Sequence, residues 1–335
     1  MSKRPFLIIL TFLIFFSCKT NKSEPYRKIT GFTQGTTYHI TYEDKAGQNL
    51  TAPVDSLLRI LDLTFSAYIP NSIISRINRN DSTVEVNDMF IEVFNKSVEI
   101  NKETHGALDL TVGPLVNAWG FGPEKKVKID STKIDSLLQY VGMQKVRIQG
   151  KKFIKDLPGI KIDVNSIAQG YSVDVMYRYF ETVGIKNFMV EIGGEVRTKG
   201  KNPKGDTWRI GVDKPVDGMS NPGQSLQTII FLDNKAITTS GNYRKYFEEN
   251  GRKYSHIIDP HTGYPYKNSL LSVTIIAQDA LTADGYDTPL MVLGLEGAKA
   301  VLMKHPELEA YMIYSDENGR YKVEFTKGIQ FDKEN

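Results

Sequence analysis

The spacing of apolar residues predicts five helices along this chain. Within residues 54–65, Leu57, Leu61 and Phe65 recur at four-residue intervals, which place side chains on one face of a helix. Similar spacing predicts helices over 89–104, 136–141, 166–183 and 290–305. The helix over 166–183 is expected to begin at a cap formed by Asn165 or Ser166 and to end before Gly184.

Alternation of apolar and polar residues between turn residues predicts β-strands elsewhere in the chain. The strands fall at 37–42, 208–212, 228–232, 310–314 and 321–325, and a hairpin is expected with its turn at 249–252. Helices and strands mix without a regular β-α-β alternation, and no linker rich in glycine, serine or proline divides the chain. The sequence therefore predicts an α+β fold, a single large domain of mixed sheets and helices over residues 29–330.

The N-terminal residues have the features of an export signal with a lipid-attachment site. Lys3 and Arg4 precede an apolar block at 6–16, which is shorter than the roughly 20 residues that span a bilayer. Cys18 follows this block and a small residue, the placement at which bacterial lipoproteins are cleaved and acylated. We predict a signal peptide at 1–17, an acylated Cys18 with a tether over 18–28, and anchoring to the inner or outer membrane, facing the periplasm.

Cysteine usage and charge restrict the function classes further. Cys18 is the only cysteine, so no internal disulfide can form. The formal net charge is +3, and removal of residues 1–17 takes away two basic residues, Lys3 and Arg4. Because nucleic-acid-binding proteins usually carry a strong basic excess, we expect no nucleic-acid partner.

Two short segments rich in oxygen ligands each lie where an apolar run meets a helical pattern. Asp284, Asp287 and Thr288 precede the apolar run at 290–293, and the second segment spans 163–166. Mg²⁺ prefers oxygen ligands and is typically held by one or two carboxylates together with substrate phosphates. The two segments are consistent with one Mg²⁺ site, but Thr288 and Pro289 would equally serve as the N-cap and first residue of the last helix.

The second segment also suits phosphate binding. Asp163, Asn165 and Ser166 lie at the start of the predicted helix, where free N–H groups attract phosphate or pyrophosphate. The alternative is that Asn165 or Ser166 only caps the helix. Gly170 costs about 1 kcal/mol relative to alanine inside a helix, and a close approach of ligand or backbone would explain its presence.

His256 ends a predicted strand and enters a turn rich in proline and glycine. A histidine beside a phosphate and metal site is suited to act as a general base, since its ordinary pKa is about 6.5. It could also hold the molecule that accepts a transferred group. The alternative is that it only hydrogen-bonds the turn that follows. Gly193 and Gly194 predict a tight turn or bulge, and Trp119 is expected to pack its own loop rather than touch substrate.

Five motifs in order along the chain resemble those of the ApbE family, the FAD:protein FMN transferases. They are GALDLTVGPLVNAWGFGP at 106–123, IDVNSIAQG at 162–170, TTSGNY at 238–243, SHIIDP at 255–260 and DGYDT at 284–288. The resemblance extends from about residue 31 to 323 and implies an ApbE-like, tunnelling-fold-like architecture. It implies an enzyme that cleaves the pyrophosphate of FAD, releases AMP, and attaches FMN through a phosphoester to a threonine or serine of a target protein.

The resemblance also implies the residues of the site and its partners. Ser166, Asp284, Asp287 and Thr288 match positions that bind Mg²⁺. The positions that line the FAD substrate are matched by Gln34, Tyr68, Ala107, Leu108, Asp109, Asp163, Gln169 and Ile258. Tyr68 would stack on a flat ring system, although a core tyrosine would give the same pattern. The implied partners are FAD, acceptor flavoprotein domains of membrane electron-transfer complexes, and the lipid membrane through Cys18.

Three positions depart from the family pattern. Gln34 stands where methionine is common, Gln169 where lysine or glutamate is frequent, and Pro289 where a small residue follows the Asp-Thr pair. Because proline disfavours a helix at the preceding residue, the metal ligands are expected either on one helical face or in a turn. The catalytic base is open between His256 and the pair Asp284 and Asp287. Two alternatives to transfer are hydrolysis of FAD to FMN and AMP, and flavin binding without catalysis.

Overall fold

The computed structural model describes residues 25–215, 225–242, 246–249 and 252–332. Its centre is an antiparallel sheet with the strand order β1-β2-β5-β6-β9-β12-β13-β14. These strands are β1 (Tyr26–Thr33), β2 (Thr36–Glu43), β5 (Phe188–Ile192), β6 (Glu195–Lys199), β9 (Ala236–Gly241), β12 (Leu270–Ala277), β13 (Glu309–Ser315) and β14 (Tyr321–Phe325). Three two-stranded sheets are formed by β3 (Val146–Gln149) with β4 (Lys152–Lys155), β7 (Trp208–Asp213) with β8 (Leu226–Leu232), and β10 (Tyr246–Glu249) with β11 (Arg252–Ser255).

The described residues form seven α-helices. They are α1 (Thr51–Phe65), α2 (Ile73–Asn78), α3 (Asp88–Glu103), α4 (Gly113–Trp119), α5 (Ser131–Leu138), α6 (Ala168–Thr182) and α7 (Ala280–Lys304). Helices α6 and α7 pack on the strands, and α1 and α3 pack against α6 and α7. On the opposite face, the β7–β8 hairpin buries a second, smaller apolar cluster. The prediction of an α+β fold of mixed sheets and helices is confirmed.

The helix predictions succeed where an apolar stripe is long. Helices α1, α3 and α6 overlap the predicted 54–65, 89–104 and 166–183, whereas α5 lies earlier than the predicted 136–141. The short helices α2 and α4 were not predicted. The predicted cap of α6 is wrong, because α6 starts at Ala168 without a side-chain cap. Instead, the Asp163 carboxylate accepts bonds from the backbone and side-chain nitrogens of Asn165, at 2.9 and 3.1 Å, which ties Asn165 into a turn before the helix.

The last helix begins ten residues earlier than the sequence predicts, so the proposed cap at Thr288 and Pro289 is wrong. Asp279 is the N-cap of α7, and its carboxylate accepts a bond from the backbone nitrogen of Thr282 at 2.8 Å. Pro289 lies within the helix, and a kink follows at Gly294, whose φ is 70°. Close packing on the sheet and on α6 compensates for the hydrogen bond that proline cannot make.

The described part of the chain begins within the predicted tether, at residue 25. Strand β1 starts at Tyr26, so residues 26–28 pair with β2 and belong to the sheet rather than to the tether. Residues 1–24, with the predicted signal peptide and Cys18, lie outside the described residues, as does the centre of the predicted turn at 249–252. Among the residues that the structure describes, no helix has the length and apolarity needed to cross a membrane.

Candidate active site

Two buried carboxylates on α7 form the centre of the candidate site. Asp284 and Asp287 are 4 % and 2 % exposed, and their spacing places them on one face of the helix. Asp284 Oδ2 accepts a bond from the backbone nitrogen of Gly170 on α6, at 2.7 Å. Thr288 Oγ1 donates to Asp287 Oδ1 at 3.2 Å and lies 3.2 Å from the hydroxyl of Ser240 on β9. Of the two predicted arrangements, one helical face is therefore correct.

Both carboxylates bind protons more tightly than ordinary aspartates. Burial, with a smaller effect of the Asp174 charge, raises the pKa of Asp284 to about 7, against the opposing bond from Gly170. Burial and the charges of Asp284 and Glu195 raise the pKa of Asp287, while hydroxyls nearby act in the opposite direction. Because two adjacent buried carboxylates repel each other when ionised, a divalent cation between them would relieve the repulsion.

Gly170 explains how α6 and α7 come so close together. A Cβ atom at Gly170 would overlap the carbonyl oxygen of Ala280 and lie 2.5 Å from Cβ of Asp284. The close approach predicted for this glycine is confirmed, and the approaching group is the backbone of α7. The contact brings Asp284 to the first turn of α6.

Ser166, Asp163 and Tyr68 lie around the start of α6. Ser166 is half-buried in the turn before the helix, four residues from the Gly170 contact with Asp284. Burial raises the pKa of Asp163 despite the bonds from Asn165. Tyr68 is 64 % exposed, and its pKa is raised by partial burial and, to a smaller extent, by the charge of Asp163. Tyr68 is therefore not a core tyrosine, and its ring is accessible for stacking.

The turn between β1 and β2 places Gln34 beside α6. Gln34 and Gly35 both have positive φ, 51° and 75°, the geometry of a two-residue hairpin turn. Gln34 Nε2 donates to Ser172 Oγ at 2.7 Å, and the Ser172 hydroxyl donates in turn to the carbonyl of Ala168 at 2.8 Å. Because Ser172 has only one hydrogen, it must accept from Gln34, which fixes the orientation of the amide. The remaining Gln34 Oε1 is buried, and no described residue donates to it.

A second glycine turn brings Gln169 and Glu195 together. Gly193 and Gly194 join β5 to β6 with φ values of 66° and 110°, so the predicted tight turn is confirmed. A Cβ atom at Gly193 would lie 2.6 Å from Gln169 Nε2 and 3.2 Å from Glu195 Oε2. The sequence analysis did not identify Glu195. The sequence signal that could have identified it is an acidic residue directly after two turn glycines. In the structure this residue lies on β6 and is only 8 % exposed.

The loop 105–112 is fixed by Asp109. Its Oδ1 accepts bonds from the backbone nitrogen and the hydroxyl of Thr111 at 2.8 and 2.5 Å, and its Oδ2 from the nitrogen of Met143 at 3.2 Å. Burial raises the pKa of Asp109, and these bonds oppose that effect. Ala107 and Leu108 are also buried. The Asp109 carboxylate thus shapes the loop, and contact of this segment with FAD stays a prediction.

The motifs at 106–123 and 255–260 meet in space. His261 Nε2 lies 2.8 Å from the carbonyl of His105, and Trp119 Nε1 donates to the carbonyl of Gly263 at 2.8 Å. The ring of His256 lies edge-on to Phe121, with centroids 6.3 Å apart. Trp119 is buried and packs against the turn at Gly263 rather than only its own loop, and its lack of contact with substrate stays a prediction. Ile258 is buried in the same cluster and bridges Pro265.

The structure therefore divides the predicted site residues into two groups. The first surrounds the junction of α6, α7 and the sheet and contains Gln34, Tyr68, Asp163, Ser166, Gln169, Asp284, Asp287 and Thr288. The second lies on the loop at 105–112 and on the segment at 255–260, and it contains Ala107, Leu108, Asp109, His256 and Ile258. Among the described residues, no cluster of three or more histidine, cysteine, aspartate or glutamate side chains has metal-binding geometry. A metal at the two α7 carboxylates would therefore need hydroxyl, substrate or water oxygens in addition.

Comparison with known proteins identifies the family. The model of the ApbE family matches residues 34–312. The FAD:protein FMN transferases of Haemophilus influenzae and Vibrio cholerae are 38 % and 40 % identical to this chain, covering 87 % of it and 87 % and 88 % of their own lengths. The structure of flavin transferase ApbE from Vibrio cholerae superimposes with a TM-score of 0.81 at 38 % identity, covering 90 % of this chain and 97 % of that one. The apo flavinyl transferase ApbE of Pseudomonas stutzeri gives a TM-score of 0.79 at 33 % identity, with coverage of 90 % and 95 %. The resemblance seen in the motifs is confirmed, and this chain belongs to the ApbE family.

Proposed function

We propose that this chain is a Mg²⁺-dependent FAD:protein FMN transferase. It would cleave the pyrophosphate of FAD, release AMP, and attach FMN through a phosphoester to a threonine or serine hydroxyl of a target flavoprotein. The observation that carries the proposal is the buried pair Asp284 and Asp287 beside the first turn of α6. The activity for which the Haemophilus and Vibrio relatives are named supports it.

The donor atoms around the carboxylate pair fit Mg²⁺. One oxygen of Asp284 is engaged by Gly170, which leaves the other for the ion, and Asp287, Thr288 and Ser166 would add further oxygens. Mg²⁺ tolerates few protein ligands because it keeps waters and substrate phosphates in its octahedral shell. When bound, it would act as a Lewis acid that polarises the pyrophosphate and stabilises charge on the departing AMP.

The residues around the start of α6 would hold FAD. Tyr68 offers an exposed ring for stacking, and Gln34 offers a buried amide oxygen that needs a donor. Asp163 and Gln169 lie at the same helix start, where the positive end of the helix dipole favours the negative charge of a pyrophosphate. The loop held by Asp109, with Ala107, Leu108 and Ile258, would close the other side of the cofactor pocket.

The acceptor hydroxyl must lose its proton as it attacks the phosphorus. Asp284 and Asp287 lie next to the expected position of the pyrophosphate, and a carboxylate oxygen that does not bind the ion would accept this proton. His256 is the alternative base, delivered from the loop beside Phe121. The pH profile of a His256→Gln variant separates the two: loss of one limb of the profile indicates His256, and an unchanged profile indicates the carboxylates.

The sequence of the N-terminus supports an exported enzyme. We propose that residues 1–17 are removed, that Cys18 is acylated, and that the enzyme works on the periplasmic side of a membrane. Its acceptors would then be flavoprotein domains of membrane electron-transfer complexes. Labelling of cells with a radioactive fatty acid, with Cys18→Ser as the control, tests the anchor.

One experiment separates the candidate activities. The purified protein is incubated with FAD, Mg²⁺ and a candidate acceptor domain, and AMP release and protein-bound flavin fluorescence are followed together. AMP release with a fluorescent acceptor supports transfer, and AMP release without labelling supports hydrolysis of FAD. Bound FAD without AMP would contradict both activities and leave a flavin-binding protein. Asp284→Asn is the inactive control.

A further inference from the structure

A carboxylate on α6 holds the first turn of α7. Asp174 Oδ1 accepts bonds from the backbone nitrogen of Ala280 at 2.9 Å and from a guanidinium nitrogen of Arg197 at 2.6 Å. Its Oδ2 accepts from the backbone nitrogen of Leu281 at 2.8 Å. Asp174 is 2 % exposed. We call these four residues the helix joint.

The helix joint lies one turn from the candidate metal ligand on both helices. Gly170 and Asp174 are four residues apart on α6, and Ala280 and Asp284 are four residues apart on α7. The Gly170 bond to Asp284 and the Asp174 bond to Ala280 are therefore two successive connections between the same helices. Two connections fix the sliding and the rotation of α7 relative to α6, whereas one would fix neither.

The helix joint supplies bonds that α7 cannot make by itself. The first four N–H groups of a helix have no partner within the helix. Of the three that belong to the first turn of α7, one is on Thr282 and donates to the Asp279 carboxylate. The other two, on Ala280 and Leu281, are satisfied only through Asp174 among the contacts described. Loss of the Asp174 carboxylate therefore leaves the helix capped but no longer tied to α6 at this end.

Arg197 holds the Asp174 carboxylate in place through an ion pair, and its charge opposes the rise in the pKa of Asp174 that burial causes. Its guanidinium lies 3.8 Å from the ring centroid of Tyr177, so a cation–π contact orients it. Arg197 lies on β6, and Glu195, whose charge reaches Asp287, is two residues earlier on the same strand. Strand β6 thus carries two charged residues that act on this part of α7: Arg197 through Asp174 at the helix start, and Glu195 through its charge on Asp287.

We propose that Asp174 is a positioning residue that, through the helix joint, sets the placement of Asp284, Asp287 and Thr288 for binding of the divalent cation. This inference rests on the proposed function, because it concerns the metal that the function requires. The competing explanation is that Asp174 contributes only to stability as a buried cap. The two differ in one consequence: positioning requires that metal affinity fall even when the protein stays folded.

The test compares Mn²⁺ binding to the full-length protein and three variants, by electron paramagnetic resonance of free Mn²⁺. Asp174→Asn keeps the size but cannot accept from both Ala280 and Leu281. Asp174→Asn combined with Arg197→Gln removes the buried unpaired cation that the single variant would leave, which protects the fold. Asp279→Asn is the matched control, since asparagine caps a helix as well as aspartate does and removes the same charge at the same helix end.

We expect both Asp174 variants to bind Mn²⁺ about 10- to 100-fold more weakly, the range found when groups that orient metal ligands are removed. Hydrogen exchange at the amides of Ala280 and Leu281 should accelerate in both. The Asp279→Asn protein should bind Mn²⁺ as the wild type does. Folded Asp174 variants with wild-type Mn²⁺ affinity would overturn the inference, whatever their loss of stability. A wild-type protein that does not bind Mn²⁺ would instead refute the proposed metal site and the inference with it.

Discussion

In metal-free protein, replacement of Asp284 by asparagine should stabilise the fold at pH 8 and leave it almost unchanged at pH 4. Burial raises the pKa of Asp284 from 3.8 to about 7. Because the folded state then holds the proton more tightly than the unfolded chain, the free energy of unfolding falls as the pH rises from about 4 to 7. Each pKa unit corresponds to about 1.4 kcal/mol, so ionisation of Asp284 destabilises the fold by up to about 4 kcal/mol.

Urea unfolding followed by circular dichroism, with a chelator present, measures the effect. Asparagine keeps an oxygen that accepts the bond from Gly170 but cannot ionise. The variant should therefore gain several kcal/mol over the wild type between pH 4 and pH 8. Asp316→Asn is the control with the opposite sign. The backbone bond from Arg320 lowers the pKa of Asp316, so this replacement should destabilise the protein at pH 8 and not at low pH.

Mg²⁺ should reduce the difference at pH 8. A ligand present at 100 times its dissociation constant stabilises the folded state by about 2.7 kcal/mol, and the wild type should gain this while Asp284→Asn gains much less. A difference between variant and wild type that does not change with pH, or that changes in the opposite direction, would refute the reasoning. It would mean that Asp284 is ionised without cost in the folded protein and that its burial does not prepare it for a cation.

Three further substitutions test other parts of the site. Gly170→Ala should cost at least 1–3 kcal/mol, measured by urea unfolding, because the new methyl group overlaps the carbonyl of Ala280; wild-type stability would show that the helices can separate. Gln34→Met should weaken FAD binding about 5- to 10-fold in a fluorescence titration, since it removes the buried amide oxygen that the bond from Nε2 to Ser172 orients. Unchanged affinity would exclude that contact. Asp109→Ala should lower stability by about 1–3 kcal/mol because three donors lose their acceptor, and urea unfolding would detect it.

The elements that the sequence predicts well are those whose apolar stripe is long enough to repeat. Helices α1 and α3 have 15 and 16 residues, so their periodicity is clear, whereas α2 and α4 have 6 and 7 and show barely two turns. The start of α7 was missed for another reason. Its first ten residues are buried on several sides, so their apolar positions do not form a single stripe. Pro289 also gives the sequence pattern of a first helical residue, although it lies inside the helix. Tertiary packing overrides that local signal.

The candidate site likewise contains residues that could be identified from the sequence and residues that could not. The carboxylates at 284 and 287 and the glycine at 170 could be singled out, because each is unusual for its local pattern. Asp174 and Glu195 could not. An aspartate inside a helix is ordinary until a second helix, 106 residues later in the chain, is found to begin against it. The predicted capping role of Ser166 failed because Asp163 already holds the preceding turn.

The strand order of the central sheet has a consequence for when the enzyme becomes competent. From one edge to the other, every strand of this sheet comes later in the chain than its neighbour. The sheet can therefore grow edgewise in the order of synthesis, each new strand finding its partner already in place. Helix α7 follows the sixth of these eight strands. A nascent or truncated chain can thus hold most of its sheet and still lack both carboxylates, so we expect no cleavage of FAD before the last quarter of the chain has folded.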